Sequence, residues 1–290
     1  MGKSIIKSYS ICTLSPTSND LIADYFEHYL DTYNNLHFPH RHSFYHLVYF
    51  THGAGKHSID FINYEVEPGQ IYFMKPGQVH SWNFEGKPKG FIVNFSESYL
   101  APLIANVRYL DRFSFFTVLG DAQVIQLAVE KRTVIPHLLK RIVEESQSEN
   151  LLKDDMIRLL LIQLFIEVER AAGNRVTDVN NHNSLIINNF YQLIESNYKD
   201  KKLTKDYAAL LYVTPNYLNA LCKNTTGKAA GELIRDRIVL EAKRLLINAD
   251  VTIAEIALEL DFADNSYFSK FFKKYTGHTP ENFRKQFVKN

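Results

Sequence analysis

The pattern of apolar and polar positions has two different periods along the chain. In the first part, short apolar and aromatic stretches such as SFYHLVYF at 43–50 alternate with turn sequences, GAG at 53–55 and PG at 68–69 and 76–77. Many short strands separated by Gly and Pro turns are typical of a sandwich or a barrel. We therefore predict a β-sandwich or β-barrel over residues 1–120.

From residue 121 onward the apolar positions recur with a helical period, most clearly at 151–171. One stripe of this predicted helix contains Ile157, Leu161, Leu164, Val168 and Ala171, whereas Leu152, Met156, Leu159 and Leu160 lie partly on another side. With two stripes, the helix could pack on its own domain with one side and on a helix of a second chain with the other. We therefore predict a helical dimerisation segment at 121–171. A fully buried helix is the alternative.

Residues 172–184, AGNRVTDVNNHNS, are polar and rich in Asn, as is typical of a linker. The following residues, 185–290, are helical in pattern and contain a duplication at an offset of 50 residues. The two copies are TPNYLNALCKNTTG at 214–227 and DNSYFSKFFKKYTG at 264–277. An internal duplication of this kind indicates two copies of one structural unit.

Each copy carries the signals of a helix with fixed ends. Thr214 and Asp264 are suited to the N-cap position, and Gly227 and Gly277 are suited to ending the helix. A second, short helical pattern precedes each copy, and only a few residues separate it from the copy. This spacing predicts two helix-turn-helix motifs.

The second helix of each motif has an inward apolar stripe and an outward small or polar stripe. The predicted inward residues are Leu218, Leu221 and Cys222 in the first copy and Phe268, Phe271, Phe272 and Tyr275 in the second. The predicted DNA-binding residues are Asn216, Asn219, Ala220 and Lys223, followed by Asn265, Ser266, Ser269, Lys270 and Lys273. Asparagine can pair with adenine, and lysine can reach guanine or phosphate. A helical bundle with polar outer faces is the alternative.

Composition and charge narrow the class of protein further. The chain has 290 residues and an ordinary globular composition, and its two cysteines, Cys12 and Cys222, cannot form a disulfide framework. The N-terminus lacks the apolar core of a signal peptide, and the apolar run at 159–166 is too short to span a membrane. We therefore expect a cytoplasmic protein with no membrane partner.

The net charge of +1 conceals an asymmetry between the two halves. Residues 1–185 contain 17 Lys and Arg against 20 Asp and Glu, whereas residues 186–290 contain 16 against 12. Residues 265–290 alone carry six basic residues and one acidic residue. A basic surface in the helical half suits a polyanion such as DNA, although a solvated basic face would have the same composition.

Residues 243–285 closely resemble the C-terminal signature of the AraC/XylS family of bacterial transcription regulators. The residues that carry the resemblance are Lys243-Arg244-Leu245-Leu246, Ile253, Ile256-Ala257, Phe262, Tyr267-Phe268, Phe271-Phe272-Lys273, Gly277, Pro280 and Phe283-Arg284. The resemblance implies a seven-helix module in which a central helix, about residues 229–248, holds two DNA-reading helices apart. Asp261 departs from the glycine usual in the second turn, but Asp tolerates a left-handed conformation, so we expect the turn to form.

The first half resembles the cupin-like effector domain of the same family, through HRHSFYHLVYFTHGAGKHSID and PGQIYFMKPGQVHSW. The resemblance, with strand alternation, suggests His42, His46, His80 and Trp82 as contacts for a small polar effector such as a sugar. Enzymatic cupins bind metal through a similar outline, so a metal site at His40, His42, His46 and His80 is the less favoured alternative. His37 lies off this alternation.

The predicted fold class is therefore α+β: an N-terminal cupin-like β-barrel with C-terminal helices of its own, followed by an all-α domain with two helix-turn-helix motifs. The predicted function is a DNA-binding transcription regulator that responds to a small-molecule effector and has no catalytic residue and no cofactor. Its expected partners are promoter DNA, the effector, a second copy in a homodimer and, for an activator, RNA polymerase. A metal-dependent cupin enzyme with an accessory helical domain is the alternative.

Overall fold

The structure is a computed structural model, and it describes residues 7–15, 20–33, 36, 38–104, 107–116, 123–172, 182–248 and 250–287. The chain divides into two compact units, with the division between residues 175 and 176. The first unit contains a β-sheet and helices, and the described residues of the second unit form helices only. The predicted α+β class is therefore confirmed.

The first unit is built on one eight-stranded sheet. Its strands are β1 (Ser8–Tyr9), β2 (Leu21–Tyr25), β3 (His40–His42), β4 (Tyr45–Ile59), β5 (Ile62–Glu65), β6 (Gln70–Met74), β7 (Val79–Phe95) and β8 (Val124–Gln126). The main order is β1-β3-β7-β4-β6-β8, while β2 pairs with β7 and β5 pairs with β4. All pairs are antiparallel except β1 with β3. The sheet thus continues past the boundary predicted at residue 120.

Strand β4 separates two apolar cores, because alternate residues of a strand point to opposite faces. Val48 and Phe50 belong to one core, and Leu47 and Tyr49 belong to the other. The register of β4 against β7 shifts between residues 50 and 54. Gly90 of β7 lies against β4 close to this irregularity, and a Cβ there would overlap the carbonyl oxygen of Tyr49.

Four α-helices accompany the sheet in the described part of this unit: α1 (Ile11–Leu14), α2 (Phe26–Thr32), α3 (Lys131–Ser146) and α4 (Lys153–Ala171). Two short 3₁₀ helices, Val107–Arg112 and Ser114–Phe116, lie between β7 and β8 along the chain. Helix α2 contributes Phe26 and Tyr29 to the core that contains Val48 and Phe50. Helices α3 and α4 pack against each other and supply apolar side chains to the core that contains Leu47 and Tyr49. The two cores therefore have different helices as their outer layers.

Helix α4 has the two-sided apolar character predicted from the sequence. The residues of the first predicted stripe at 157, 161, 164 and 168 are buried in the core of the unit. On the other side, Leu152, Met156 and Leu159 are 66%, 42% and 55% exposed, whereas Leu160 is buried. Of the four residues predicted to lie partly on another side, three are therefore exposed and Leu160 packs in the core.

The second unit contains seven helices among its described residues. They are α5 (His182–Asn197), α6 (Thr204–Leu210), α7 (Pro215–Thr226), α8 (Ala230–Leu246), α9 (Ile253–Glu259), α10 (Asn265–Thr276) and α11 (Pro280–Phe287). Helix α5 begins inside the predicted linker, of which residues 173–181 lie outside the described residues. Helix α8 matches the predicted central helix and contacts α6, α7, α9, α10 and α11.

A buried ionic network ties α8 to α5. The Arg237 guanidinium donates hydrogen bonds to both carboxylate oxygens of Glu195 at 2.9 and 3.0 Å and to Glu241 Oε2 at 2.9 Å. Its Cζ atom lies 4.0 Å from the centre of the Tyr198 ring. Arg244 Nη1 lies 3.4 Å from the same oxygen of Glu241. Both arginines are buried, so their charges depend on these carboxylates for compensation.

The two helix-turn-helix turns have the same construction. The backbone N–H of Val213 donates to Ala208 O at 3.0 Å in the first turn, and Phe262 N–H donates to Ala257 O at 2.9 Å in the second. Asp261 has φ = 51°, so the expected left-handed turn forms without glycine. Tyr212 has φ = 55° in the first turn, a conformation that costs a tyrosine about 1–2 kcal/mol.

No helix within the described ranges is both long and apolar enough to cross a membrane.

Candidate nucleic-acid interface and ligand cavity

The two candidate reading helices, α7 and α10, are capped in the same way. Thr214 Oγ1 accepts a hydrogen bond from Tyr217 N–H at 3.2 Å, and Asp264 Oδ1 accepts one from Tyr267 N–H at 2.7 Å. Gly227 and the equivalent glycine of the second copy end the helices with φ = 78° and 79°. Each helix therefore starts and stops at positions that its own sequence fixes.

The inward stripes are mostly as predicted. All three predicted residues of α7 are buried, as are Phe268 and Phe272 of α10, and Phe271 is half-buried. Tyr275 is exposed, so its predicted inward position is wrong. Its ring instead receives the guanidinium of Arg235, whose Cζ atom lies 5.2 Å from the ring centre. This contact joins α10 to the surface of α8 rather than to the core.

Most of the predicted DNA-binding residues are exposed on the outer side of α7 and α10. The exposed residues are Asn216, Ala220, Lys223, Asn265, Ser266, Lys270 and Lys273. Asn219 and Ser269 are half-buried. Asn219 Oδ1 accepts a hydrogen bond from Ala230 N–H at 3.1 Å, so this side chain anchors the start of α8. The bond occupies the oxygen that a bidentate adenine contact needs and leaves the amide nitrogen for a base.

Tyrosines at the first turn of each reading helix are additional surface residues that the sequence interpretation missed. Tyr217 and Tyr267 are exposed and occupy equivalent positions of the duplication. The Tyr217 hydroxyl donates to Asn183 Oδ1 at 2.6 Å, which ties α7 to α5. The recurrence of tyrosine at the same place in both copies was the available signal.

Positive charge is concentrated on α10. Its exposed lysines are Lys270, Lys273 and Lys274, whereas α7 carries Lys223. Neither Lys270 nor Lys273 forms an ion pair within the described part of the chain. Both ammonium groups are therefore available to an external anion such as phosphate.

A cluster of five buried histidines, the histidine cluster, occupies the interior of the first unit. It contains His40 and His42 on β3, His46 and His57 on β4, and His80 on β7. His42 Nε2 lies 2.7 Å from His80 Nε2, and His57 Nε2 lies 3.1 Å from His80 Nδ1. The His42 and His46 rings are stacked with centroids 5.1 Å apart. The predicted grouping of 40, 42, 46 and 80 thus forms.

His57 was not predicted as part of this cluster. It lies opposite Trp82 in the β4–β7 pairing, and this register brings it beside His80. Only the long-range strand register reveals the contact, because His57 lies outside the HFPHRHSFYH segment that the sequence singles out. His37, also in that segment, lies outside the described residues.

Burial keeps the histidine cluster uncharged. Desolvation lowers the pKa of His40 to about 4 and that of His46 to about 3. Desolvation, followed by repulsion from neighbouring histidines, lowers the pKa of His42, His57 and His80 well below the usual value. Neutral imidazole is the form that binds a metal ion. His40, His42 and His80 each offer one ring nitrogen, and these atoms lie within 4.8 Å of one another.

An open pocket of about 730 Å³ lies next to the histidine cluster. Its lining includes Glu27 and Asp31 from α2, together with Trp82, Phe84, Lys87 and Lys89 from β7. Trp82 is thus the predicted effector contact that lines this pocket, and its ring also contacts His80 at 5.1 Å between centroids. His42, His46 and His80 do not line it.

The fold and these two sites together define a protein with a ligand-binding domain followed by a helix-turn-helix domain. Residues 25–172 match the family described as "AraC-like ligand binding domain", and residues 207–286 match the "Helix-turn-helix domain" family. The chain belongs to the AraC family.

Individual relatives match the chain over different lengths. The uncharacterized transcriptional regulatory protein YesN of Bacillus subtilis is 37% identical over 43% of this chain and 33% of its own length. The transcriptional activator RhaR of Mannheimia succiniciproducens is 21% identical over 87% of this chain and 89% of its own length. A ToxT structure from Vibrio cholerae is 15% identical with a TM-score of 0.47 and covers 93% of this chain and 100% of that chain. The chain spans less than half the length of YesN and of two further relatives.

Proposed function

We propose that this protein is a DNA-binding transcription regulator that responds to a small molecule bound by its first unit. The duplicated helix-turn-helix carries the proposal, because both copies combine a fixed cap, a buried inner stripe and an exposed polar outer stripe. Each outer stripe offers the side chains that read base edges or bind phosphate. RNA polymerase is a further proposed partner if the regulator is an activator. The proposed location is the cytoplasm, where the promoter DNA lies.

Selection of bound sequences from a pool of random duplexes tests this proposal. The full chain is expected to enrich a defined motif and to bind it much more tightly than unselected DNA, by about 10³-fold or more. Affinity should fall as salt is raised, because phosphate contacts release counterions. Failure to enrich any motif, with and without a panel of candidate effectors, would contradict the proposal.

A second copy of the chain is the proposed partner of α4. Met156 and Leu159 are three residues apart, which places them on one side of the helix, and the exposed Leu152 directly precedes the first residue of α4. A self-complementary contact between two such stripes would bury side chains that are exposed in the single chain.

Replacing Leu159 with Glu is expected to convert a dimer into a monomer, because the contact would then bury an unpaired charge. Analytical ultracentrifugation over a concentration series measures the change. Val134→Glu introduces the same charge at another exposed apolar position, on α3, and serves as the control. A wild-type chain that sediments as a monomer at all concentrations would refute the dimer.

We propose that the effector is a small polar molecule, such as a sugar, bound in the pocket beside Trp82. The pocket lining combines the aromatic side chains of Trp82 and Phe84 with the carboxylates of Glu27 and Asp31, and such a combination suits a ring that carries hydroxyl groups. His42, His46 and His80 remain candidate effector contacts, and the rings of His46 and His80 lie against Trp82.

Intrinsic fluorescence can test this site directly, because Trp82 is the single tryptophan of the chain. A bound effector is expected to change the Trp82 emission saturably in a panel of monosaccharides. Asp31→Asn should weaken binding by about tenfold through loss of a charged hydrogen-bond acceptor. Glu97→Gln, outside the pocket lining, is the matched control. Equal affinities of the two variants would exclude Asp31 from the site.

A further inference from the structure

The histidine cluster is not used by the DNA interface and does not line the open pocket. His40, His42 and His80 are at most 2% exposed, and one ring nitrogen from each lies within 4.8 Å of the other two. His40 and His80 are direct partners in the pairing of β3 with β7. His42 is two residues further along β3 and so lies on the same face as His40. Three imidazoles are therefore held by paired strands rather than by a loop.

Two histidines of the cluster have a fixed tautomer. His40 Nδ1 lies 2.7 Å from the carbonyl oxygen of Phe38, and His46 Nδ1 lies 2.7 Å from Asn94 Oδ1. The Phe38 oxygen can only accept, and the Asn94 amide nitrogen is already directed at the Tyr29 hydroxyl at 3.3 Å. Each Nδ1 therefore carries the proton, and each Nε2 presents a lone pair. Both Nε2 atoms are buried without a hydrogen-bond partner.

The other three histidines cannot satisfy all of their ring nitrogens with one another. Three neutral rings carry three protons on six nitrogens. The His42–His80 and His57–His80 contacts use two protons and two lone pairs. The third proton is left to Nδ1 of His42 or His57, and both of these atoms are buried without a partner. Unpartnered buried polar groups are unfavourable, and one donor and one acceptor remain unsatisfied, so these three rings do not satisfy one another alone.

We propose that His40, His42 and His80 bind a divalent first-row transition-metal ion such as Zn²⁺. His40 Nε2 would bind the ion through its lone pair, because the proton of this ring is on Nδ1, which donates to the Phe38 carbonyl oxygen. Metal-binding histidines commonly donate the other ring N–H to a backbone carbonyl in this way. Imidazole ligands favour Zn, Cu, Fe and Ni over Mg and Ca, which prefer oxygen.

The chemistry of the ligand set also constrains what else the site would take. All three ligands are uncharged, and no carboxylate joins them among the described residues. A bound dication would therefore keep its full charge in a buried place, which favours an anionic additional ligand. Three protein ligands leave a coordination position for such a group.

Cobalt titration of the full, untagged chain after chelator treatment tests the proposal. The wild-type chain is expected to take up one Co²⁺ per chain with visible d–d absorption, and Zn²⁺ should displace it. His42→Ala and His80→Ala should each weaken metal binding by at least about 100-fold. His52→Ala removes an exposed histidine of β4 and should leave the titration unchanged.

The wild-type spectrum decides the question even if a variant fails to fold, and His40→Gln provides a conservative third substitution. Absence of stoichiometric Co²⁺ and Zn²⁺ uptake by the folded wild-type chain would overturn the proposal. Equal metal affinity of His52→Ala and any folded cluster variant would also overturn it. Duplex binding by the same preparations is measured separately, so failure of the metal site leaves the proposed regulator intact.

Discussion

Glu241→Gln is expected to lower the free energy of unfolding of the helical unit by about 3 kcal/mol. The substitution removes a carboxylate that pairs with both Arg237 and Arg244, and both arginines are buried. Removing one partner of a buried ion pair costs about 3–5 kcal/mol, and the remaining Glu195 contact places the loss at the lower end. Urea unfolding followed by far-ultraviolet circular dichroism measures the change.

The Glu241 experiment has two internal comparisons. Glu259→Gln removes the exposed Lys199 pair and should cost less than about 1 kcal/mol. Trp82 fluorescence follows unfolding of the first unit, which contains the sheet. The urea concentration at the midpoint of that transition should be the same in wild type and Glu241→Gln. A loss for Glu241→Gln no larger than that for Glu259→Gln would show that the network does not stabilise the unit.

The same network predicts a dependence on pH. Burial opposes ionisation of Glu241, but the guanidinium groups of Arg237 and Arg244 outweigh it and lower the pKa of this carboxyl below 4.5. A group with a lowered folded pKa stabilises above its unfolded pKa and loses that contribution as pH falls through the folded value. The difference between wild type and Glu241→Gln should therefore shrink in acid below pH 4.5.

The double substitution Lys270→Ala with Lys273→Ala is expected to weaken binding to the selected duplex by about 100-fold. Each ammonium group is exposed, and each lost contact to a charged phosphate is worth about tenfold. The slope of log affinity against log salt should decrease by about one for each lysine. Fluorescence anisotropy across a salt series provides both quantities.

Lys140→Ala is the matched control for the lysine experiment. Lys140 is an exposed lysine of α3, in the other unit, and lies 3.5 Å from Glu144. Its loss removes one positive charge without touching α10. If this variant changes the salt slope as much as a single α10 substitution, the binding reflects overall charge rather than a defined interface.

Features that depend on neighbouring residues could be predicted from the sequence. The caps at Thr214 and Asp264 involve residues three positions apart, so their side chains and spacing were sufficient. Strand alternation likewise placed His40, His42 and His46 together. The predicted barrel boundary was less accurate, because β8 joins the sheet only through pairing with β6.

Features that depend on distant pairing could not be predicted in this way. His57 reaches His80 through the β4–β7 register, and Asn219 turns toward the first residue of the next helix. Tyr275 looked like a core residue from helical spacing, but it lies at the edge of the stripe beside Arg235. In each case the residue type and its place in the helix or strand pattern could be read from the sequence. The distant residue that the side chain contacts could not, and that contact determines the role of the side chain.

Helix α8 fixes the distance between the two DNA-reading helices, α7 and α10. It is 17 residues long, or about 25 Å, and it contacts both α7 and α10. One inserted residue would rotate everything beyond it by about 100° and advance it by about 1.5 Å. Substitutions on α7 or α10 can therefore change the base preference of one DNA-reading helix without affecting the other. The distance and rotation between the two DNA segments that they contact would change only if residues were inserted into or deleted from α8.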